Sequence, residues 1–176
     1  MMFVDGSNFY HGLKGLGLDN FKPLGNFNFR KLGIALCNGR KLIEVKYYNA
    51  PLDSDADPER YKTQQRFFEK IRNTPDVKLI LVRMQKRKNN DKIVYVVKGD
   101  DIHIAVDMVV HAFNDAYDTA ILVSGDGDFV PAVLAAQAKG KRVEQAYFKQ
   151  GHSYYLRQTC NDSILLTDKL LKECFD

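Results

Sequence analysis

Aspartates stand at three places where carboxylates can act together. Asp5 ends the opening run MMFVD. Asp100 and Asp101 sit where KGDDIHIAVDMV passes from a strand pattern into a helix pattern, and Asp126 and Asp128 follow TAILVSG. Three or four carboxylates in one cleft repel one another unless something positive binds there. Mg2+ or Mn2+ suits such a set, because hard cations take oxygen ligands and keep several waters. A site of this kind lowers the pKa of a bound water and clamps a phosphate oxygen, so the chemistry implied is metal-assisted phosphodiester hydrolysis. The competing explanation is helix capping, which Asp100, Asp101, Asp128 or Ser7 could each perform. Capping explains any one aspartate but not the doublet at 126 and 128 together with Asp5. The acids are also skewed, with 17 Asp against 5 Glu. Glu is the better helix former, so an Asp excess points to caps, loop ends or metal ligands.

These residues need elements to position them. The run Met1 to Val4 reads as a strand, with a helix starting near Ser7 and another over Phe27 to Asn38. Leu42 to Tyr48 and Val77 to Met84 read as strands, separated by a helix over Pro58 to Asn73. Asn89-Asn90-Asp91 predicts a turn, with Ile93 to Val97 returning as a strand. A helix over Asp101 to Ala116, a strand over Thr119 to Val123, a helix over Asp128 to Lys139 and a strand over Arg142 to Phe148 follow. Gly140 supplies the C-cap of the third of these, and two short helical stretches close the chain. This alternation predicts an α/β fold: a three-layer αβα sandwich of Rossmann-like character with a mainly parallel sheet, plus one antiparallel hairpin. In such sheets ligands bind beyond the carboxyl ends of the strands, at a topological switch point. If the first strand and TAILV are neighbours, Asp5 and Asp126 converge there, within reach of Asp101.

The chain has 176 residues, 45% of them hydrophobic and 27% charged. That fits one soluble globular domain over residues 1–176 and excludes collagen-like and disordered classes. Three cysteines, Cys37, Cys160 and Cys174, cannot all pair, and none forms a C-x-x-C. A reducing compartment is expected. The longest apolar run is too short to span a bilayer, and MMFVDGSN lacks the features of a signal peptide. A cytoplasmic protein without membrane association follows. The net charge of +4 permits nucleic-acid binding without requiring it.

The three acidic segments, MFVDGSNFY, KGDDIHIAVDMV and YDTAILVSGDGDFVPAVLAAQAKGKRVEQAYF, resemble the NYN domain family of PIN-like nucleases, in its bacterial LabA-like branch. They match the family's D-G-x-N strand end, its K-G-x-D helix start and its S-G-D-x-D-F segment, in order and over most of the chain. The resemblance implies a PIN-like fold and a Mg2+- or Mn2+-dependent ribonuclease. It places Asp5, Asp101, Asp126 and Asp128 on the family's acidic positions, as metal ligands and catalytic residues. It assigns supporting places to Asn8, Ser124 and Asp107, with Asp100 beside them. Asp107, six residues after Asp101, lies about 120° away around the helix, which suits a supporting group or a surface charge better than a ligand. Asn8 suits a hydrogen bond to a ligand carboxylate or a turn, and Ser124 a bond to the Asp pair or a buried satisfied hydroxyl. The sequence departs from the family pattern at Gly127, where Ser is frequent, at Asp100, and at Asn161, where Asp is expected within LRQTCNDSILL, a segment similar to the family's closing helix.

The partner expected is RNA, single-stranded or structured. RMQKRKNNDK carries Arg83, Lys86, Arg87, Lys88 and Lys92, and with Lys98 it could grip a phosphate backbone. Lys139, Lys141, Arg142 and Lys149 could extend the patch. The alternative is an edge strand protected by charge. Phe9, Tyr10, Tyr47 and Tyr48 are candidates for stacking on bases, or for the core. A sheet edge or helix pair could form a homodimer. The four histidines lack ligand spacing, and GLKGLGLDN lacks the G-K-[ST] of a P-loop. A non-catalytic RNA- or protein-binding module with the same fold is the alternative function.

Overall fold

A parallel sheet is covered on both faces, so its central strands are apolar on both sides. Met2–Asp5, buried at every position, forms such a strand, β1. In the computed structural model the chain continues through α1 (Gly6–Gly15), α2 (Phe29–Cys37), β2 (Val45–Asn49), α3 (Pro58–Arg72), β3 (Val77–Leu81), β4 (Arg83–Asn89) and β5 (Lys92–Lys98). Then come α4 (Asp100–Phe113), β6 (Thr119–Val123), α5 (Val130–Ala138), β7 (Arg142–Tyr147), α6 (Tyr154–Thr159), β8 (Asp162–Leu165) and α7 (Asp168–Lys172). The structure describes residues 1–18, 24–89 and 92–176, with 83–89 and 92–98 as backbone only.

Six strands form one sheet in the order β3-β2-β1-β6-β7-β8, every neighbouring pair parallel. The chain first winds outward from β1 through β2 to β3, then re-enters on the other side of β1 at β6. The switch point lies between these two strands. Val4 pairs with Val123 in register, so Asp5 and Ser124 leave the sheet side by side.

Alternating residues of the strands feed two cores. Met2, Val4 and Tyr47 pack with Phe9, Phe29, Phe67 and Leu171, from α1, α2, α3 and α7. Phe3, Tyr48 and Leu122 pack with Ile104, Met108, Val133 and Leu156, from α4, α5 and α6. Helices therefore flank both faces. Among the described residues no helix is long and apolar enough to cross a membrane, and Cys37, Cys160 and Cys174 are free and buried.

Three elements differ from the sequence expectation. The strand expected over Val77 to Met84 is divided. Val82 N–H still donates to Asn49 O at 2.9 Å, after which the chain leaves the main sheet. β4 instead pairs antiparallel with β5, from Arg83↔Lys98 to Asn89↔Lys92; of the turn expected at Asn89-Asn90-Asp91, Asn89 is the last residue of β4 and the other two lie outside the described residues. The helix expected from Asp128 begins at Val130, after a 3-10 turn over Gly127–Phe129. Pro131 suits its first turn, where no N–H is needed. The segment LRQTCNDSILL is half helix and half strand, because Asn161 fastens it to β7. Asn161 N–H donates to Val143 O, and Val143 N–H donates to Asn161 Oδ1, each at 2.8 Å. The chain then extends as β8, so β7 is not the last strand.

Candidate functional site

The site is built where β1 and β6 end. Asp5 is the last residue of β1 and the N-cap of α1, its Oδ1 accepting from Asn8 N–H at 2.9 Å. Its Oδ2 accepts from Ser124 Oγ at 3.0 Å. The Ser124 hydroxyl also accepts from Asp126 N–H at 3.2 Å, and Asp126 Oδ1 accepts from Asp128 N–H at 2.9 Å. Asn8 closes the circuit, with its Oδ1 accepting from Gly125 N–H at 3.2 Å. One hydrogen-bonded chain thus links Asp5, Asn8, Ser124 and the Asp126–Asp128 turn. Gln145, fully buried in β7, supports it from below by donating Nε2 to Ser124 O at 2.9 Å. Nothing in the sequence singled Gln145 out, since a lone glutamine in a strand carries no motif.

The loop after β7 presses on this turn. Ser153 N–H donates to Gly125 O at 2.7 Å. A Cβ on Gly125 would stand 2.4 Å from Gly151 O, so only glycine permits that approach.

Asp100 and Asp101 open α4, whose N-cap is Gly99 with φ +88 and no side-chain cap bond. Neither acid is engaged as the cap, and both are half-buried. Burial raises the Asp5 pKa above the ordinary carboxyl value, against the hydrogen bonds from Asn8 and Ser124, and Asp100 and Asp126 add to the rise. Burial likewise pushes Asp101 up to about 6, with Asp100, Asp5, Asp126 and Asp128 contributing. Asp5 and Asp101 therefore both feel the other acids of the set. Among the described residues no lysine or arginine pairs with any of them. This uncompensated oxygen-only set fits a hard divalent cation by charge and donor type. As the side chains stand, no three Asp, Glu, His or Cys residues among those described are close enough to hold an ion.

The NYN domain profile matches residues 1–167. The chain belongs to the NYN domain family. That family lies within the PIN-like nuclease superfamily. A Vibrio parahaemolyticus protein of unknown function has a similar structure, with a TM-score of 0.70 at 23% identity over 95% of this chain and 91% of that one. No curated protein matches this chain.

Within this NYN domain the remaining expected positions divide. Asp107 faces the underside of β2, where its Oδ2 accepts from Tyr48 OH at 2.7 Å and from Lys46 Nζ at 3.4 Å. Those two partners hold its pKa low against burial, and its carboxylate is committed to them. Asn161 belongs to the amino end of β7, away from the acids, so this departure from the family pattern does not touch the site. Gly127 admits the close contact of α6: a Cβ there would lie 2.9 Å from Ser153 Oγ.

The basic residues also divide. Lys141 pairs with Asp115, Arg142 pairs with Glu144 and Asp162, and Lys139 covers the Phe113 ring at 4.3 Å. All three belong to the amino edge of the sheet and do not extend a patch near the acids. Lys149, beyond the carboxyl end of β7, does lie on the site's side, lining a cavity of about 270 Å3 with Asn8 and His11. The side chains of Arg83, Lys86, Arg87, Lys88, Lys92 and Lys98 lie outside the described residues. Their backbone forms β4 and β5, and β5 ends at Lys98, directly before Gly99 and the acid pair. Of the expected stacking residues, Phe9, Tyr47 and Tyr48 are core and only Tyr10 reaches the surface.

Proposed function

We propose that this NYN domain is a metal-dependent ribonuclease that hydrolyses RNA phosphodiester bonds at the carboxyl edge of β1 and β6. The observation that carries it is the gathering of Asp5, Asp100, Asp101, Asp126 and Asp128 at one edge, where burial and the neighbouring acids raise the proton affinity of Asp5 and Asp101 and no lysine or arginine among the described residues pairs with the set. Asp5, Asp101, Asp126 and Asp128 would hold Mg2+ or Mn2+. When bound, such an ion supplies charge neutralisation at the phosphate and a more acidic water. The chain's own residues do the positioning. Asn8 and Ser124 fix the Asp5 carboxylate, Ser124 also holds the Asp126 backbone N–H, and Asp128 N–H orients the Asp126 carboxylate. Asp100 adds negative charge beside Asp101. Asp107 acts at one remove, anchoring α4 to β2 through Tyr48 and Lys46. The basic segment from Arg83 to Lys98 would grip the RNA backbone as it approaches the acids.

The test is cleavage of labelled single-stranded RNA with Mn2+, with Mg2+ and with EDTA. Cleavage should require metal and should disappear in Asp126→Asn without loss of folding. Full activity in that variant would refute the assignment. A non-catalytic RNA- or protein-binding module is favoured by one observation, that no three acids among the described residues stand close enough to hold an ion. RNA retained without turnover in any metal would select it.

A further inference from the structure

We propose that Tyr154 and Tyr155, with Arg157 behind them, form a stacking platform for unpaired bases of single-stranded RNA; this deepens, and rests on, the ribonuclease reading. Both tyrosines are unusually open for aromatic residues, at 60% and 63% exposed. They open α6, which touches the acidic turn: Ser153, the preceding residue, is bonded to Gly125 and caps α6 by accepting from Leu156 N–H. Tyr154 therefore stands one residue from a contact with the segment that carries Asp126 and Asp128.

Tyr154 is held in place before any ligand arrives, and Tyr155, about 100° further around the helix, offers a second open ring. The Arg157 guanidinium lies 5.3 Å from the Tyr154 ring centroid and 5.7 Å from that of Tyr147. Arg157 Nη1 donates to Tyr147 OH at 3.4 Å, and Gln158 Nε2 donates to Tyr154 OH at 2.7 Å. The His152 ring rests 4.8 Å from that of Tyr147. Among the described residues no carboxylate pairs with Arg157, so its charge is available to a phosphate.

Exposed rings beside a guanidinium without a carboxylate partner are complementary to a nucleotide, with the base on a ring and the phosphate near the cation. Every base has a π-face, so such stacking tolerates any sequence. A duplex keeps its base faces inside the stack and cannot use the platform. The occupant is therefore a single strand, led over the platform toward the acidic edge.

The experiment measures equilibrium binding, in EDTA, of a labelled 12-nucleotide single strand and of a duplex of equal length. Tyr154→Ala and Tyr155→Ala should each weaken single-strand binding roughly tenfold, Tyr154→Phe should keep it, and duplex binding should stay within about twofold. Because both side chains are exposed, the thermal midpoint should not move. Failure of the wild type to bind the single strand, equal losses for both RNAs, or unchanged affinity in the Ala variants would each overturn the platform. Unchanged RNA affinity with loss of an oligomer in Tyr155→Ala would mark the face as a contact between copies. If metal-dependent cleavage persists while the Ala variants bind normally, the platform fails and the nuclease stands. If the platform behaves as expected but no metal supports cleavage, the nuclease reading fails and the platform stands.

Discussion

The two edges of the parallel sheet treat charge in opposite ways. At the amino edge the charges on and beside β7 are paired. Glu144, buried in β7, accepts from Arg40 through two bonds of 2.9 and 2.7 Å and from Arg142 at 3.0 Å. Arg142 also meets Asp162, and Lys141 meets Asp115. At the carboxyl edge five aspartates gather, and no lysine or arginine among the described residues pairs with them. Buried charges that serve stability are paired, because isolating them costs too much. Asp5 is buried at the switch point without a cationic partner among the described residues, which marks that point as a candidate functional site. The partners, more than the number of acids, distinguish the edges.

Substitutions at the two edges should therefore have opposite consequences. Asp126→Asn should lower metal-dependent RNA cleavage at least about a hundredfold while urea unfolding stays close to wild type. Glu144→Gln should leave cleavage unchanged and cost about 1–2 kcal/mol of stability in the same urea titration, a figure reduced because Arg40 and Arg142 are half exposed. Equal loss of activity in both variants would erase the distinction. A smaller effect is expected from Ser124→Ala, which removes the hydroxyl that joins Asp5 to Asp126. It should slow cleavage about tenfold, measured under single-turnover conditions, since it acts through the ligands it orients.

The smallest effect sharpens the electrostatic half of the comparison. Asp101 titrates near 6 in the folded chain, against about 3.9 when unfolded. The folded state thus holds the proton more tightly, so the stability this group contributes is full below about pH 4 and is lost as pH rises through about 6. Asp101→Asn should therefore raise the thermal midpoint of the metal-free protein at pH 8, by a few degrees, and change it little at pH 4. Differential scanning fluorimetry across pH reads this directly. A gain that is the same at both pH values would show that Asp101 does not feel its neighbours.

Much of this was legible in the sequence, for local reasons. The opening strand, TAILV and the helix from the Asp100–Asp101 pair announce themselves by periodicity and by the acids at their ends. The sequence alone also suggested where the acids converge, provided the first and TAILV strands were neighbours, and the observed β1–β6 pairing satisfies that condition. What escaped was set by tertiary contacts. β8 exists because Asn161 latches its chain to β7, a bond that no local pattern reveals. Val77 to Met84 reads as one strand, yet it divides at Val82 where the chain exits the main sheet. Lys139, Lys141 and Arg142 look like candidates for RNA until their edge is known. The aromatics show the same limit: Tyr47 and Tyr48 occupy opposite buried faces of one strand, whereas Tyr154 and Tyr155 are open, and in sequence both are simply a Tyr-Tyr pair.

On the proposed reading a divalent cation would complete the carboxyl edge, whereas the amino edge has its ion pairs already. The most direct measurement is the thermal midpoint of the wild type, Asp126→Asn and Glu144→Gln during titration with Mn2+. Binding to the folded state alone raises the midpoint with metal concentration. The account predicts a rise for the wild type and for Glu144→Gln, and none for Asp126→Asn. A wild type indifferent to Mn2+, or an Asp126→Asn protein that rises with it equally, would contradict the account.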